Sequence, residues 1–354
     1  MKKLAVIGPN ANSVYNLLGD YTATQKDGKV TTVLHAIQQQ APKEMTIAYT
    51  KGCGILDESK DGFSEALELA NHSDAVLLVL GGSSSRNFNI QFDHNGAAIL
   101  GDQPVDMDCG EGVDVADLKL GGVQNELINE IATLGKPMIG VVVQGRPYAI
   151  RNLVDACQSV LCCWYPGEEG GKAIADVLFG KINPSGKLPV SIPRSSNQLP
   201  VYYNKKDMGQ KLDYQDLDSS PLYPFGFGLS YTTFNFSNIN LSKEFISIAD
   251  LENGEKVSID VTVENNGEYP GAEVIQLYRY DKESSITKRV RELKKFKKIY
   301  LEPGEKKTIT FSIGKEDMCI WNKEMGDCLE PKTIYWYIGN DSTATYKVST
   351  TLIE

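Results

Sequence analysis

The chain has 354 residues, 41% hydrophobic and 23% charged, with a formal net charge of −10. That composition belongs to a soluble globular protein, and because one core rarely grows past about 250 to 300 residues, to two domains. The acidic balance excludes partners that need clustered Lys and Arg, nucleic acid and anionic membrane surfaces, and no apolar run approaches the roughly 18 residues of a membrane-spanning helix.

Up to about residue 220, apolar strands alternate with helical periodicity. Strands are expected at 4–8, 45–49, 75–80, 138–143 and 159–164, and helices near 31–40, 62–72, 122–134 and 168–179. Strand then helix, repeated, implies an α/β fold: a mostly parallel sheet covered on both faces, with ligands bound beyond the carboxyl ends of its strands. GPNAN after the first strand and LGGSSSR after the third sit at that end. GPNAN lacks the spacing of a phosphate or dinucleotide loop, so it reads as a tight strand-to-helix turn and no cofactor is expected.

Residues 81–121 are a long connection with little periodicity, and loops longer than about 15 residues in compact domains are usually functional or disordered. Its aromatics, Phe88 and Phe92, argue against disorder. Near its end Glu111 stands between Gly110 and Gly112, just before an amphipathic helix. Flanking glycines permit backbone angles closed to other residues, which suits a carboxyl that must reach into a cleft. A solvated turn acid is the plain alternative. Further on, Glu168 and Glu169 are expected in the first turn of a helix that starts at Pro166 and Gly167, where they complement the helix dipole.

From about 195 to 222 the chain turns polar and irregular, as a linker lying over the first domain would. Beyond Phe234, alternation at 257–267, 272–280, 306–313 and 333–339, with turns at Asn266-Gly267 and Pro303-Gly304, predicts an antiparallel β-sandwich. The basic run 289–298 is interrupted by Leu293 and Phe296, so it reads as a solvated strand and loop. Seven cysteines, odd in number and without CxxC spacing, indicate neither a metal site nor a full disulfide framework. Cys109 reads as a small packing residue; Cys319 and Cys328 are a pair that an oxidising compartment could bridge. Reduced thiols and a cytoplasmic setting are the expectation.

Read together, LAVIGPNAN (4–12), LLVLGGSSSR (77–86), GEGVDVADL (110–118), GKPMIGVVVQGRP (135–147), WYPGEEGGKAIADVLFGKINPSGKLPVSIP (164–193) and PLYPFGFGLSYTTF (221–234) make the chain resemble the C-terminal part of a family-three glycoside hydrolase, the group of β-glucosidases and β-xylosidases. The resemblance implies an α/β sandwich domain over 1–194, a linker and junction over 195–230, and a fibronectin-type-III-like, immunoglobulin-type sandwich over 231–354. It implies a retaining hydrolase of terminal β-D-glycosidic bonds, with a β-glycoside or oligosaccharide as substrate, no cofactor and no metal. The aspartate nucleophile of such enzymes sits on a barrel domain that these 354 residues do not include, so a barrel in cis or in trans is the expected partner. The family pattern E-G-x-D-R-x-x-L-x-L-P-x-x-Q falls on Glu111 through Gln124 and gives Glu111 the role of general acid and base. Val115 stands where Arg is usual, which removes an ion-pair partner for Asp114, and Gly121 stands where Pro is usual. Those departures favour the alternative, a non-catalytic carbohydrate-binding or assembly module. Arg86, His94 and Asp114 are further candidates for contact with sugar hydroxyls. Asp106, Asp108, Asp114 and Asp117 lie close enough in sequence to raise the Glu111 pKa by like-charge proximity.

Overall fold

The computed structural model describes residues 1–26, 28–85, 94–95, 106–210 and 213–354. They form two compact units, Met1–Ile182 with Pro193–Leu199, and Asn183–Ile192 with Pro200–Glu354.

The first unit is built from β1 (Lys3–Ile7), α1 (Tyr15–Leu18), α2 (Val33–Gln40), β2 (Thr46–Thr50), α3 (Phe63–Asn71), β3 (Ala75–Gly81), α4 (Gln124–Ala132), β4 (Met138–Val143), α5 (Arg151–Ala156), β5 (Ser159–Trp164) and α6 (Gly170–Leu178). Its strands are ordered β2-β1-β3-β4-β5, and every neighbouring pair is parallel. β3 at the centre is buried at all seven positions, as a strand covered on both faces must be. The helices turn one apolar face inward: Val33, Leu34, Ala36 and Ile37 of α2, and Leu127, Ile128 and Ile131 of α4. Thr32 caps α2 by accepting the His35 amide at 3.2 Å. The order of strands reverses direction between β1 and β3, which opens a crevice at their carboxyl ends.

The second unit comprises β6 (Phe234–Leu241), β7 (Phe245–Ser247), α7 (Ile248–Glu252), β8 (Val257–Asn265), β9 (Gly271–Asp281), β10 (Glu292–Leu301), β11 (Lys306–Ile313), α8 (Lys315–Met318), β12 (Ile320–Trp321), β13 (Asp327–Cys328), β14 (Lys332–Gly339) and β15 (Tyr346–Ile353). Two sheets, β10-β9-β14-β15-β7 and β11-β8-β6, are antiparallel except for the β15–β7 pair. Strict alternation along β8 sends Val257, Ile259, Val261 and Val263 into a core shared with Ile275, Leu277, Phe311 and Trp336. The basic run expected as a solvated strand is β10, which lies at a sheet edge where lysines discourage further pairing.

Three expectations change. Asn183–Ile192, read as the end of the first domain, groups with the second unit. Its bonds lie there: the Leu188 amide donates to the Phe227 carbonyl (2.8 Å), the Ile192 amide to Tyr223 (2.9 Å), and Lys187 pairs with Glu273 (2.7 Å). Residues 200–230, read as a linker over the first domain, also group with the second unit. There the backbones of Lys206 and Arg289 form an antiparallel β-bridge, the Val290 amide donates to the Lys205 carbonyl (3.0 Å), and Tyr203 stacks on Phe225. Finally, α6 begins at Gly170, so Glu169 is its N-cap residue and Glu168 precedes it, paired with Lys29 at 3.5 Å.

Candidate active site

At the carboxyl edge of the parallel sheet an open cleft of about 530 Å³ is lined by Asp20, Tyr21, Ser84, Cys109, Gly110, Glu111, Val113, Asp114, Gly145, Arg146 and Tyr165. These residues follow α1, β3, β4 and β5, so separate strand ends converge on one place, and the volume suits a small ligand. Tyr21 (φ 58°) and Trp164 (φ 54°), the latter next to Tyr165, hold left-handed backbone that side chains adopt only when their surroundings impose it.

A buried polar chain forms the floor. The Asn10 side-chain amide donates to the Gly82 carbonyl (3.2 Å), Asn16 donates to the Asn10 Oδ1 (2.6 Å), and the Ser83 hydroxyl donates to the Asn16 Oδ1 (2.8 Å). GPNAN, read as a turn, thus also orders the segment after β3. The Ser83 amide in turn donates to Asp108 Oδ1 (2.9 Å), whose other oxygen accepts the Tyr148 hydroxyl. Burial, and next the Asp108 charge, push the Tyr148 phenol well above its usual range. Gln124, last residue of the family pattern, is fully buried and clamps the end of β3: its Oε1 accepts the Gly81 amide (2.9 Å) and its Nε2 donates to the Gly81 carbonyl (2.8 Å).

From this floor the segment 108–118 carries Glu111 to the cleft. Gly110 has φ 125°, and a Cβ there would come within 3.0 Å of Asp20 Oδ2 and 3.3 Å of Ser84 Cβ, so glycine is required on two counts. The Glu111 amide donates to Asp20 Oδ2 (3.1 Å), which fixes the backbone under the carboxyl. Past Glu111, Asp114 makes an ion pair with Arg146, and the Leu118 amide donates to the Ser196 hydroxyl (2.7 Å). The Arg146 guanidinium, and next the Val115 amide, hold the Asp114 carboxyl below the usual carboxylate range. Cys109 Sγ lies 2.8 Å from the Tyr165 hydroxyl, and burial raises both groups above their ordinary values. At neutral pH both are therefore uncharged, and among the described residues lining the cleft the cation is Arg146.

Glu111 and Asp114 both line the cleft, and Arg146, which follows β4, gives Asp114 a guanidinium partner. Gly121 also has its reason: a Cβ there would meet the Ile55 carbonyl oxygen at 2.8 Å, so the chain packs too closely for a larger residue. His94 is exposed and is not among the described residues lining the cleft, while Arg86 lies outside the described residues. The four nearby aspartates bind elsewhere instead of serving as a like-charge cluster. Asp106 accepts the Leu56 amide (2.8 Å), Asp108 the Ser83 amide and Tyr148, Asp114 is held by Arg146, and Asp117 accepts the Ser196 hydroxyl (2.5 Å). Sequence reasoning missed Asp20, Arg146, Tyr148 and Tyr165. The available signal was their place, each within a few residues of an element's carboxyl end.

The family model described as the glycosyl hydrolase family 3 C-terminal domain matches residues 1–231. The chain belongs to this family. A fibronectin type III-like domain matches residues 273–342. Among relatives, a beta-xylosidase of Formosa agariphila is 39% identical over 97% of the chain and 45% of its own length. A periplasmic beta-glucosidase of Salmonella typhimurium is 34% identical over 96% of the chain and 45% of its own length. The crystal structure of a beta-glucosidase from Listeria innocua in complex with glucose superimposes with a TM-score of 0.85 at 28% identity, covering 99% of the chain and 46% of that structure. This family 3 chain therefore spans about half the length of the relatives it matches.

Proposed function

We propose that this chain is the acid/base half of a retaining β-glycosidase, acting on terminal β-glucosides or β-xylosides, with Glu111 as general acid and then general base. The nucleophile comes from a barrel domain in cis or in trans. In such a reaction one carboxyl protonates the leaving oxygen while a second, about 5 to 5.5 Å away, attacks the anomeric carbon; the first then takes the proton of the hydrolytic water. The observation that carries this reading is the presentation of Glu111 at the carboxyl edge of the sheet, in an open cleft, on a segment tied down by Asp20, Arg146 and Ser196. The non-catalytic alternative drew on the missing Arg at 115 and the missing Pro at 121, and the Asp114–Arg146 pair weighs against the first of these.

The test is reconstitution. The chain alone should hydrolyse nitrophenyl β-glucoside and β-xyloside no faster than buffer, because no covalent intermediate forms without the nucleophile. Joined to a family 3 barrel domain, it should turn over one or both. Turnover by the chain alone, abolished in Glu111→Gln, would place both carboxyls on this chain and overturn the division of labour.

A further inference from the structure

Arg146 leaves the end of β4 while the segment carrying Glu111 begins beyond the end of β3. The two strands pair in parallel register, Gly81 opposite Val143, so both continuations emerge side by side. The guanidinium uses this proximity twice. Nη1 holds the Asp114 carboxylate, and Nη2 donates to the Asp108 carbonyl at 2.9 Å. Asp108 and Asp114 stand three residues before and three after Glu111. One planar cation therefore closes the segment into a clasp with Glu111 at its crown, and its fork geometry suits two fixed acceptors better than an ammonium would. Arg146's own side chain is only 16% exposed, whereas that of Asp114 is 84% exposed, so the clasp's rigid member is the arginine.

We propose that Arg146 is a positioning residue: by bridging Asp114 and the Asp108 carbonyl it holds the Glu111 carboxyl at the height and angle needed to reach the glycosidic oxygen. This rests on the role proposed for Glu111. It assigns to Arg146, 31 residues beyond that of the Val115 position, the structural task that Val115 leaves undone. A misplacement on the order of 1 Å in such a group costs about 100-fold in rate, so the clasp bears on catalysis without touching substrate.

Two measurements test it. In the full chain, hydrogen exchange of the amides at 109–115 should accelerate in Arg146→Ala, less in Arg146→Lys, and also in Asp114→Asn, while the β4 amides stay protected. That last reading separates loosening from unfolding. In the barrel-joined enzyme, Arg146→Ala should lower kcat on an alkyl β-glycoside by about 100-fold with KM near wild type. Losses should be smaller on a dinitrophenyl glycoside, and guanidinium chloride at sub-denaturing concentration should restore part of the rate. Unchanged exchange at 109–115 would overturn the proposal. So would a rise in KM with kcat intact, which would make Arg146 a direct sugar contact. If Glu111→Ala itself shows no dependence on leaving group, the role of Glu111 fails, and the exchange data alone then decide whether Arg146 clasps the segment.

Discussion

At the scale of single residues, the site separates groups that bear charge from groups that hold them. Asp108 is 2% exposed and rests on the Tyr148 hydroxyl and the Ser83 amide. Removing the phenol oxygen leaves a buried carboxylate oxygen short of a donor, which costs about 1–3 kcal/mol. Tyr148→Phe should therefore lower the unfolding free energy by an amount in that range and move the urea midpoint down, and an unchanged midpoint would mean that water replaces the phenol. Asp114→Asn should leave the same midpoint where it is, since an ion pair with one member in solvent contributes little to global stability. Glu111 and Asp114 were legible in the sequence because one short motif holds both. Arg146, Asp20 and Tyr165 were not, because they join the cleft only when strand ends distant in sequence are brought side by side. The distribution of aspartates misled for a related reason: closeness along the chain says nothing about which carboxylates turn towards amides, phenol or guanidinium.

At the scale of elements, period and length decided what could be read. Strands buried on both faces, such as β3, and long alternating strands, such as β8, announce themselves. The short α1 and α5, and β6 with its register irregularity between Ser237 and Asn240, carry too little pattern. Nor did any pattern announce the buried ionic cluster of the β-sandwich. Arg279 grips Asp281 with two bonds of 2.6 Å, and Lys332 reaches the same carboxylate at 2.9 Å, with all three residues buried. Burial pushes the Asp281 carboxyl upward, and the Arg279 bonds and charge with Lys332 outweigh it, so the net shift is downward. A carboxyl with a depressed folded pKa contributes stability that is fully present above its unfolded value, about 3.9, and is lost as pH falls through the folded value. The β-sandwich should accordingly lose stability in acid below about pH 4, and Asp281→Asn should flatten that dependence. The same substitution takes the carboxylate from buried Arg279 and leaves Lys332 on Glu330 at 3.5 Å, and should cost about 3–5 kcal/mol at neutral pH. A thermal scan showing wild-type stability at pH 7 would mean the cluster relaxes into solvent.

At the scale of the whole molecule, the chain passes between its two units three times, because Asn183–Ile192 belongs to the second and Pro193–Leu199 to the first. A cut near Lys205 or Lys206 therefore leaves Asn183–Ile192 on the first fragment while its hydrogen bonds to Tyr223 and Phe227 lie on the second. Trypsin-nicked protein should elute as one species in native buffer and as two fragments only in denaturant; two native species would contradict this interlacing. The proposed function divides the reaction as well, since it sets Glu111 opposite a nucleophile supplied from elsewhere. The most direct measurement is the leaving-group dependence of Glu111→Ala in the barrel-joined enzyme. Loss of the general acid should lower kcat/KM by about 10²–10⁴-fold on an alkyl glycoside and far less on a dinitrophenyl glycoside, whose leaving group needs little protonation. Equal losses on both substrates would contradict the assignment of Glu111 as the acid.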